Sequence, residues 1–331
     1  MINGHTVVDV HHHYIPGELL HHLEDFLPRE VTTARKGDRV SFWRDGVELL
    51  TPDTVIMPDI DRHIADMDKD GVDIAVCSIS SVQEFCTLKM ARVVNDGMAE
   101  IQRGHPERIY GLIHVPPFED GALEEVERGA KDLGLKGVCL TTHTQGKYLD
   151  AEEYMPLFHK AQELGLPIVV HAATIPADYE RTLEVYDLAR SMGRVLDHTL
   201  ATIRLIYCDL LRELPNLRFF QGHLGGAMFI LRGRFDPSYK THWNPADVDF
   251  DKYLNQMYFD TAPPFWYKAE IRCAIETLGA DRICYGSDYP IQPDWIGRSL
   301  ELVTGQEGLA EDPLADILGR NALRAFGQGK L

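Results

Sequence analysis

Short apolar runs alternate with longer segments of helical periodicity along nearly the whole chain. Eight of these runs are rich in β-branched residues and predict strands at 6–10, 72–79, 109–115, 137–141, 167–171, 217–221, 257–260 and 282–285. Amphipathic stretches that are typical of helices separate them. Strands that are apolar on both faces and alternate with helices favour a parallel sheet covered on both sides. Eight such units predict an α/β fold, a (β/α)8 barrel of the TIM type, with residues 1–331 forming a single domain.

Residues 17–57 interrupt this alternation between the first strand and its helix. The segment is far longer than the two to six residues that usually join a strand to a helix. Two short apolar runs within it flank Asp45-Gly46, a dipeptide typical of a tight β-hairpin turn. We therefore expect a small β insertion over the mouth of the barrel, beside the active site.

Composition narrows the classes of function. The 331 residues include 33 Lys and Arg against 51 Asp and Glu, a net charge of −18. This charge argues against nucleic-acid partners and against an anionic membrane surface. The first residues lack the pattern of a secretory signal, and no apolar run is long enough to span a bilayer. The six cysteines form no CxxC pair and are expected to be reduced thiols, so we expect a cytoplasmic protein.

Chemistry-bearing residues follow four of the predicted strands. His11 and His13 close the first strand, and because side chains alternate along a strand they share one face while His12 points away. His171, His223 and Asp288 end the strands at 167–171, 217–221 and 282–285. The carboxyl ends of barrel strands meet at one rim, where barrel enzymes carry their active sites. Each residue alone could be structural, but together they predict a metal site.

The residue types favour a divalent metal. Three neutral imidazoles and one carboxylate suit Zn²⁺, and they would also accept Mn²⁺ or Fe²⁺. We predict His11, His13, His171 and Asp288 as the ligands of one such metal, with zinc favoured and manganese as the alternative. His223 is left as the general acid or base, because imidazole exchanges protons near neutral pH.

These motifs resemble the amidohydrolase superfamily, in its amidohydrolase-2 branch. The resemblance runs from about residue 7 to 326, and four motifs carry it: Asp9-x-His11-x-His13, Val170-His171, Gly222-His223-x-Gly-Gly226 and Gly286-Ser-Asp288-Tyr-Pro290. Within the branch, the chain is most similar to the 2-amino-3-carboxymuconate-6-semialdehyde decarboxylases and related non-oxidative decarboxylases of aromatic acids. The resemblance implies one metal held by the four predicted ligands, with His223 as acid or base and Asp288 sharing the catalytic work. A bridging lysine, found in binuclear relatives at the end of the fourth strand, is absent here, so a mononuclear site is expected.

The resemblance also implies arginines that bind a substrate carboxylate. The insertion arginine of the semialdehyde decarboxylases falls near Thr51 here, and Arg44 could replace it or be a solvated turn charge. Arg234 matches an arginine that those enzymes supply across a homodimer, although it could be an ordinary surface residue. His143 and Tyr289 are further candidates for contact with substrate.

Two functions share this set of residues. The favoured one is a metal-dependent decarboxylase of a small aromatic or muconate-type acid, acting as a homodimer. The alternative is a metal-dependent hydrolase of a lactone, amide or C–C bond, in which His223 would deprotonate a metal-bound water. A barrel in which the metal is only structural is a third reading. Arginines in the pocket would favour the decarboxylase, whereas a roomy apolar pocket without a cation would favour the hydrolase.

Overall fold

The computed structural model describes residues 2, 4–44, 47–177, 186–235, 250–263 and 265–327. Its strands, in chain order, are β1 (Val8–His13), β2 (Thr32–Lys36), β3 (Arg39–Arg44), β4 (Val47–Leu50), β5 (Ile74–Ser78), β6 (Ile109–Gly111), β7 (Ile113–His114), β8 (Val138–Thr141), β9 (His143–Thr144), β10 (Lys147–Tyr148), β11 (Ile168–His171), β12 (Phe219–Gln221), β13 (Met257–Asp260) and β14 (Ile283–Cys284). Each of the eight predicted strand regions overlaps one or two of these strands.

The helices are α1 (Gly17–His21), α2 (Ile60–Asp70), α3 (Leu88–Gly104), α4 (Ala122–Lys131), α5 (Met155–Glu163), α6 (Arg194–Tyr207), α7 (Leu210–Glu213), α8 (Met228–Phe235), α9 (Phe250–Leu254), α10 (Lys268–Leu278), α11 (Trp295–Thr304), α12 (Glu311–Ala315) and α13 (Asn321–Ala325). A short π-helical segment, Ala189–Gly193, leads directly into α6. None of the helices in the described ranges is both long and apolar enough to cross a membrane.

Parallel pairing joins the barrel strands into two sheets, ordered β1-β5-β6 and β14-β13-β12-β11-β8-β7. The sheets meet at both ends. Leu112 lies between β6 and β7 and donates its backbone N–H to Cys77 O at 3.1 Å. At the other end, Val10 N–H donates to Tyr285 O at 3.0 Å, which links β1 to the segment after β14. The predicted α/β fold of the (β/α)8 type is confirmed.

Two apolar layers explain why the sequence adopts this arrangement. Alternate strand residues such as Val8, Val10 and Phe220 pack together inside the ring of strands, where Phe326 closes one end. The intervening strand residues face outward into a larger core shared with the helices. Burial on both faces explains the nearly continuous apolar runs in the sequence, and it leaves the carboxyl ends of the strands as the place for polar side chains.

The segment between β1 and α2 contains the predicted β insertion. Strands β2, β3 and β4 form a small antiparallel sheet. The turn at Asp45-Gly46 lies outside the described residues, although Arg44 pairs with Val47 on either side of it. Asp59 then begins α2 by accepting a hydrogen bond from the backbone of Arg62 at 3.0 Å, and Gly71 ends it with a φ of 85°.

Candidate metal centre and active site

Four side chains converge at the carboxyl ends of the strands. His11 and His13 lie in β1, His171 ends β11, and Asp288 follows β14. One nitrogen or oxygen from each lies within 4.8 Å of the others. Nε2 of His13 is 2.9 Å from Oδ1 of Asp288, and Nε2 of His11 is 3.6 Å from the same oxygen. The structure therefore brings together the four residues that we predicted as metal ligands.

The protein holds the Nδ1 side of each of these three imidazoles. Nδ1 of His11 donates to Oδ2 of Asp260 at 2.9 Å, and Nδ1 of His13 lies 3.1 Å from Oγ of Ser78. Nδ1 of His171 donates to the carbonyl of the next residue at 2.9 Å. Such contacts fix the orientation and tautomer of ligand histidines. The three Nε2 atoms are left as the metal-binding nitrogens.

The donor set fits a divalent metal. Nε2 of His11 is buried and makes no hydrogen bond to any described residue. A buried polar atom of this kind is rare unless a ligand satisfies it. Three imidazole nitrogens and one carboxylate oxygen form a set that zinc and manganese both accept.

Local electrostatics keep the carboxylates ionised. Burial opposes ionisation of Asp288, but the hydrogen bond from His13 and the charge of His11 outweigh it and lower the pKa of Asp288. Burial also opposes the ionisation of Asp260, yet its contacts with His11 and His223 lower its pKa to about 2. Burial, together with His13 and His11, lowers the pKa of His171 well below its usual range. Burial opposes protonation of His11, but Asp260 outweighs it and raises the pKa of His11 to about 9. The site thus offers ionised carboxylate and a neutral His171, and metal binding would displace the proton of His11.

His223 lies beside this cluster on a strained turn after β12. Its φ is 50°, and its backbone N–H donates to Oδ1 of Asp260 at 2.9 Å. Nδ1 of the ring donates to Ala262 O at 3.4 Å, and the ring centroid is 4.8 Å from that of His11. Burial, followed by the charge of His11, lowers the pKa of His223. The ring can therefore accept a proton on Nε2 within reach of the cluster.

A cavity of about 320 Å³ opens beside these residues. Asp288, His171 and His223 form part of its wall, and Leu49 and Leu50 of the insertion form another part. Three arginines complete the polar lining: Arg39, Arg190 and Arg194. The cavity therefore combines the metal-ligand cluster, an acid-base histidine and positive charge.

A family model described as Amidohydrolase matches residues 8–328. The chain belongs to the amidohydrolase family. The resemblance seen in its sequence motifs is thereby confirmed.

Most curated relatives of this amidohydrolase are named as decarboxylases, and one is named as a 2-keto-4-carboxy-3-hexenedioate hydratase. It is 25% identical over 287 residues to the 2-amino-3-carboxymuconate-6-semialdehyde decarboxylase of Dictyostelium discoideum, covering 81% of this chain and 77% of that protein. The solved structure of a 2,6-dihydroxybenzoate decarboxylase complexed with 2,6-dihydroxybenzoate shares its fold. The TM-score is 0.78 at 24% identity, with 98% of this chain and 99% of that chain covered.

A second solved structure with the same fold contains a bound metal. The dihydroxybenzoic acid decarboxylase of Polaromonas sp. JS666, solved with bound manganese and the inhibitor 2-nitroresorcinol, aligns with a TM-score of 0.75 at 22% identity. The alignment covers 99% of this chain and 98% of that chain. A divalent metal is supported by this family and by the donor cluster of the present amidohydrolase.

Sequence reasoning missed two residues that lie in the site. Asp260 ends a predicted strand, as His171 does, and that position alone could have marked it. Arg194 lies in the first turn of α6, 23 residues after His171, where no spacing rule connects it with the strands. The π turn before α6 sets the path of the chain at this point, and π turns are frequent at functional sites.

Arg44 and His143 line a different cavity of about 1140 Å³. Nη1 of Arg44 is 3.8 Å from Oε1 of Glu84, and Nε2 of His143 donates to Ile175 O at 2.9 Å. Acidic residues contribute to the same lining, namely Asp25, Glu30, Glu84 and Glu119. The structure does not place these two predicted substrate contacts in the wall of the cavity beside the metal ligands.

The structure places Tyr289 away from that cavity. Its side chain is fully buried, its ring packs on His12 and His63, and its hydroxyl donates to Oδ2 of Asp66 at 2.7 Å. The chain turns at Asp288, whose φ is 59°, so the alternation of the preceding strand no longer fixes where Tyr289 points. The structure therefore does not place Tyr289 in the wall of this cavity, and its contact with substrate stays a prediction.

Arg234 is exposed in the last turn of α8 and lines neither cavity of its own chain. Its predicted role across a homodimer stays a prediction.

Proposed function

We propose that this chain is a metal-dependent, non-oxidative decarboxylase of a small aromatic or muconate-type carboxylic acid. One observation supports this choice above the others: two of the four proposed metal ligands, His171 and Asp288, line one cavity together with three arginines. Guanidinium groups are suited to carboxylates, and their presence beside the ligands favours an acid substrate over a neutral ester or amide. The names of most relatives support the same reaction class.

We propose His11, His13, His171 and Asp288 as the ligands of one zinc ion, with manganese as the alternative that the Polaromonas structure supports. Such an ion, when bound, supplies positive charge that polarises a substrate oxygen and stabilises negative charge. Asp260 and Ser78 hold the rings of His11 and His13 so that Nε2 of each faces the ion.

The remaining chemistry belongs to side chains of the chain itself. In decarboxylation, the bond between the ring carbon and the carboxylate breaks, its electron pair stays on the ring carbon, and CO₂ leaves. The ring carbon takes up one proton, and we assign its delivery to Nε2 of His223, which first accepts that proton from solvent and is neutral again after the transfer. Asp288 assists by stabilising the protonated imidazole through its charge. Leu49 and Leu50 of the insertion exclude water from that side of the cavity.

Exposed apolar side chains on and beside two neighbouring helices support a homodimer. Met192, Leu196 and Leu200 follow one another at four-residue spacing before and along α6, and all three are exposed; so is Ile230 of α8, the helix that carries Arg234. Helices α6 and α8 are in contact, so these side chains can form one apolar face. We propose that a second copy covers it, which a measurement of mass in solution would test against the 37.5 kDa of one chain.

The proposed function is tested on purified protein by metal analysis and by CO₂ release from a panel of hydroxybenzoates. We expect about one zinc or manganese ion per chain and turnover of at least one acid. His223→Ala should keep the metal and lose about 10²- to 10⁴-fold in turnover, the usual contribution of a general acid or base. Hydrolysis of lactones without CO₂ release would contradict the proposal, and full turnover by His223→Ala would contradict the role of His223.

A further inference from the structure

The three arginines of the cavity differ in what they contact. Arg190 forms an ion pair with Asp187 at 2.7 Å and a second with Glu48 at 3.5 Å. Arg39 belongs to β3 of the insertion, and its side chain is exposed. Arg194 is partly buried and forms no ion pair with any carboxylate among the described residues, although its charge is felt at Asp288 and Glu84.

The hydrogen bonds of Arg194 use one end of its guanidinium. Nη2 donates to Leu49 O at 2.6 Å and, more weakly, to Thr174 O at 3.4 Å. Nε is shielded from solvent and has no hydrogen-bond partner among the described residues. These two carbonyls hold the group in place while a donor remains unused in the wall of the cavity.

A cation in this situation favours an anionic ligand. Burial, followed by repulsion from Arg190, lowers the pKa of Arg194 to about 10, so the group stays protonated at neutral pH. A shielded charge without a counter-ion is costly, and shielded charges in proteins are usually paired. The missing partner must enter the cavity, which His171, His223 and Asp288 also line.

We infer that Arg194 binds the carboxylate of the substrate and so sets the specificity of this site for acids. The inference rests on the proposed function for the identity of the acid, but not for the preference for negative charge. It assigns to α6 the task that the sequence resemblance gave to Arg44 and Arg234.

The test compares two ligands that share a ring and a hydroxyl and differ in charge, salicylate and salicylamide. Calorimetric titration of the zinc-loaded protein in a His223→Ala background avoids turnover. We expect salicylate to bind roughly 10- to 100-fold more tightly than salicylamide, as charge-assisted hydrogen bonds allow, and Arg194→Gln to reduce that preference at least tenfold. Arg204→Gln is the matched control, because Arg204 lies on the same helix and pairs with Asp150 at 2.8 Å on the surface.

Thermal unfolding and metal content of each variant separate binding from a structural role. Removing a shielded, unpaired charge should leave the melting temperature unchanged or higher. An Arg194→Gln protein that melts several degrees lower and still prefers salicylate would make Arg194 a structural link between Leu49 and Thr174, and would overturn the inference. Equal binding of the two ligands by the unmodified Arg194 protein would overturn it as well.

Two further outcomes keep the proposals distinguishable. If Arg194→Gln fails to fold, Arg194→Lys retains the charge but loses the planar pair of donors, and we expect it to lower the preference severalfold. If the preference for salicylate depends on Arg194 but no aromatic acid releases CO₂, the anion-binding site is confirmed and the proposed decarboxylase function is contradicted.

Discussion

The two faces of β1 show how neighbouring histidines acquire opposite roles. On one face, His11 and His13 have Nδ1 held by the protein and Nε2 directed to the cluster. On the other face, both nitrogens of His12 are engaged, Nδ1 with Oδ2 of Asp9 at 3.0 Å and Nε2 with Nδ1 of His63 at 3.1 Å. A histidine is available for metal binding only where the fold engages one of its two nitrogens.

The hydrogen bonds of the second face form one buried network. Asp9 accepts bonds from the backbone of His11 and Ser287 and from the hydroxyl of Ser287. Nε2 of His63 donates to Ile56 O at 2.9 Å, because a carbonyl only accepts. This buried network ties β1 to α2 and to the end of the insertion.

The largest expected effect comes from the metal face. His13→Ala removes one of four ligands, so we expect loss of bound metal and a fall in activity beyond the 10- to 100-fold typical of residues that only support a ligand. The fold should remain, because Asp288 keeps Nε2 of His11 at 3.6 Å after the ring of His13 is removed. Metal analysis beside an activity assay checks this, and a variant that kept its metal would remove His13 from the ligand set.

A substitution on the second face should lower the free energy of unfolding. His12→Asn can still donate to Asp9 through its side-chain amide, but it leaves Nδ1 of His63 without its partner. An unsatisfied buried polar group costs about 1–3 kcal/mol of unfolding free energy. Denaturant titration measures that loss. We expect the fraction that folds to bind metal, since Nε2 of His11 and of His13 keep their orientation. A fully stable His12→Asn protein without metal would reverse the assignment of the two faces.

The smallest effect concerns a third kind of histidine. His114 is buried, its Nε2 accepts the backbone N–H of Ile79 at 3.2 Å, and burial lowers its pKa to about 3. The unfolded chain binds a proton near pH 6.5 and the folded one does not, so stability is full above that pH and falls as pH drops from 6.5 toward 3. At pH 5 the loss amounts to about 2 kcal/mol.

His114→Gln removes that titration and serves as the comparison. Denaturant titrations of both proteins at pH 7 and pH 5 should show a smaller pH-dependent loss in the variant. Equal losses would mean that His114 is protonated in the folded state.

The sequence sufficed for the parts that depend on local periodicity. The period of two within β1 separated His12 from its neighbours, and the rule that strand ends meet at one rim brought His171 and Asp288 to them. It could not place Arg194, because a residue inside a helix reaches the cavity only through the tertiary path of the π turn and α6. Tyr289 lies outside that cavity for a related reason: the positive φ of Asp288, the residue before it, redirects the chain after β14. Arg44 and His143 also lie near the carboxyl ends of the strands, but they line a different cavity from the one beside the metal ligands.

The hydrogen bonds to the Nδ1 atoms of the ligand histidines have a consequence for metal supply. Since Asp260, Ser78 and a backbone carbonyl orient the three rings, binding an ion requires little loss of side-chain entropy and no refolding. In zinc fingers, by contrast, the ion provides the folding free energy itself. An enzyme organised in this way can fold first and take up its ion later. Which ion it carries in the cell then depends on the concentrations of free zinc and manganese around the folded chain.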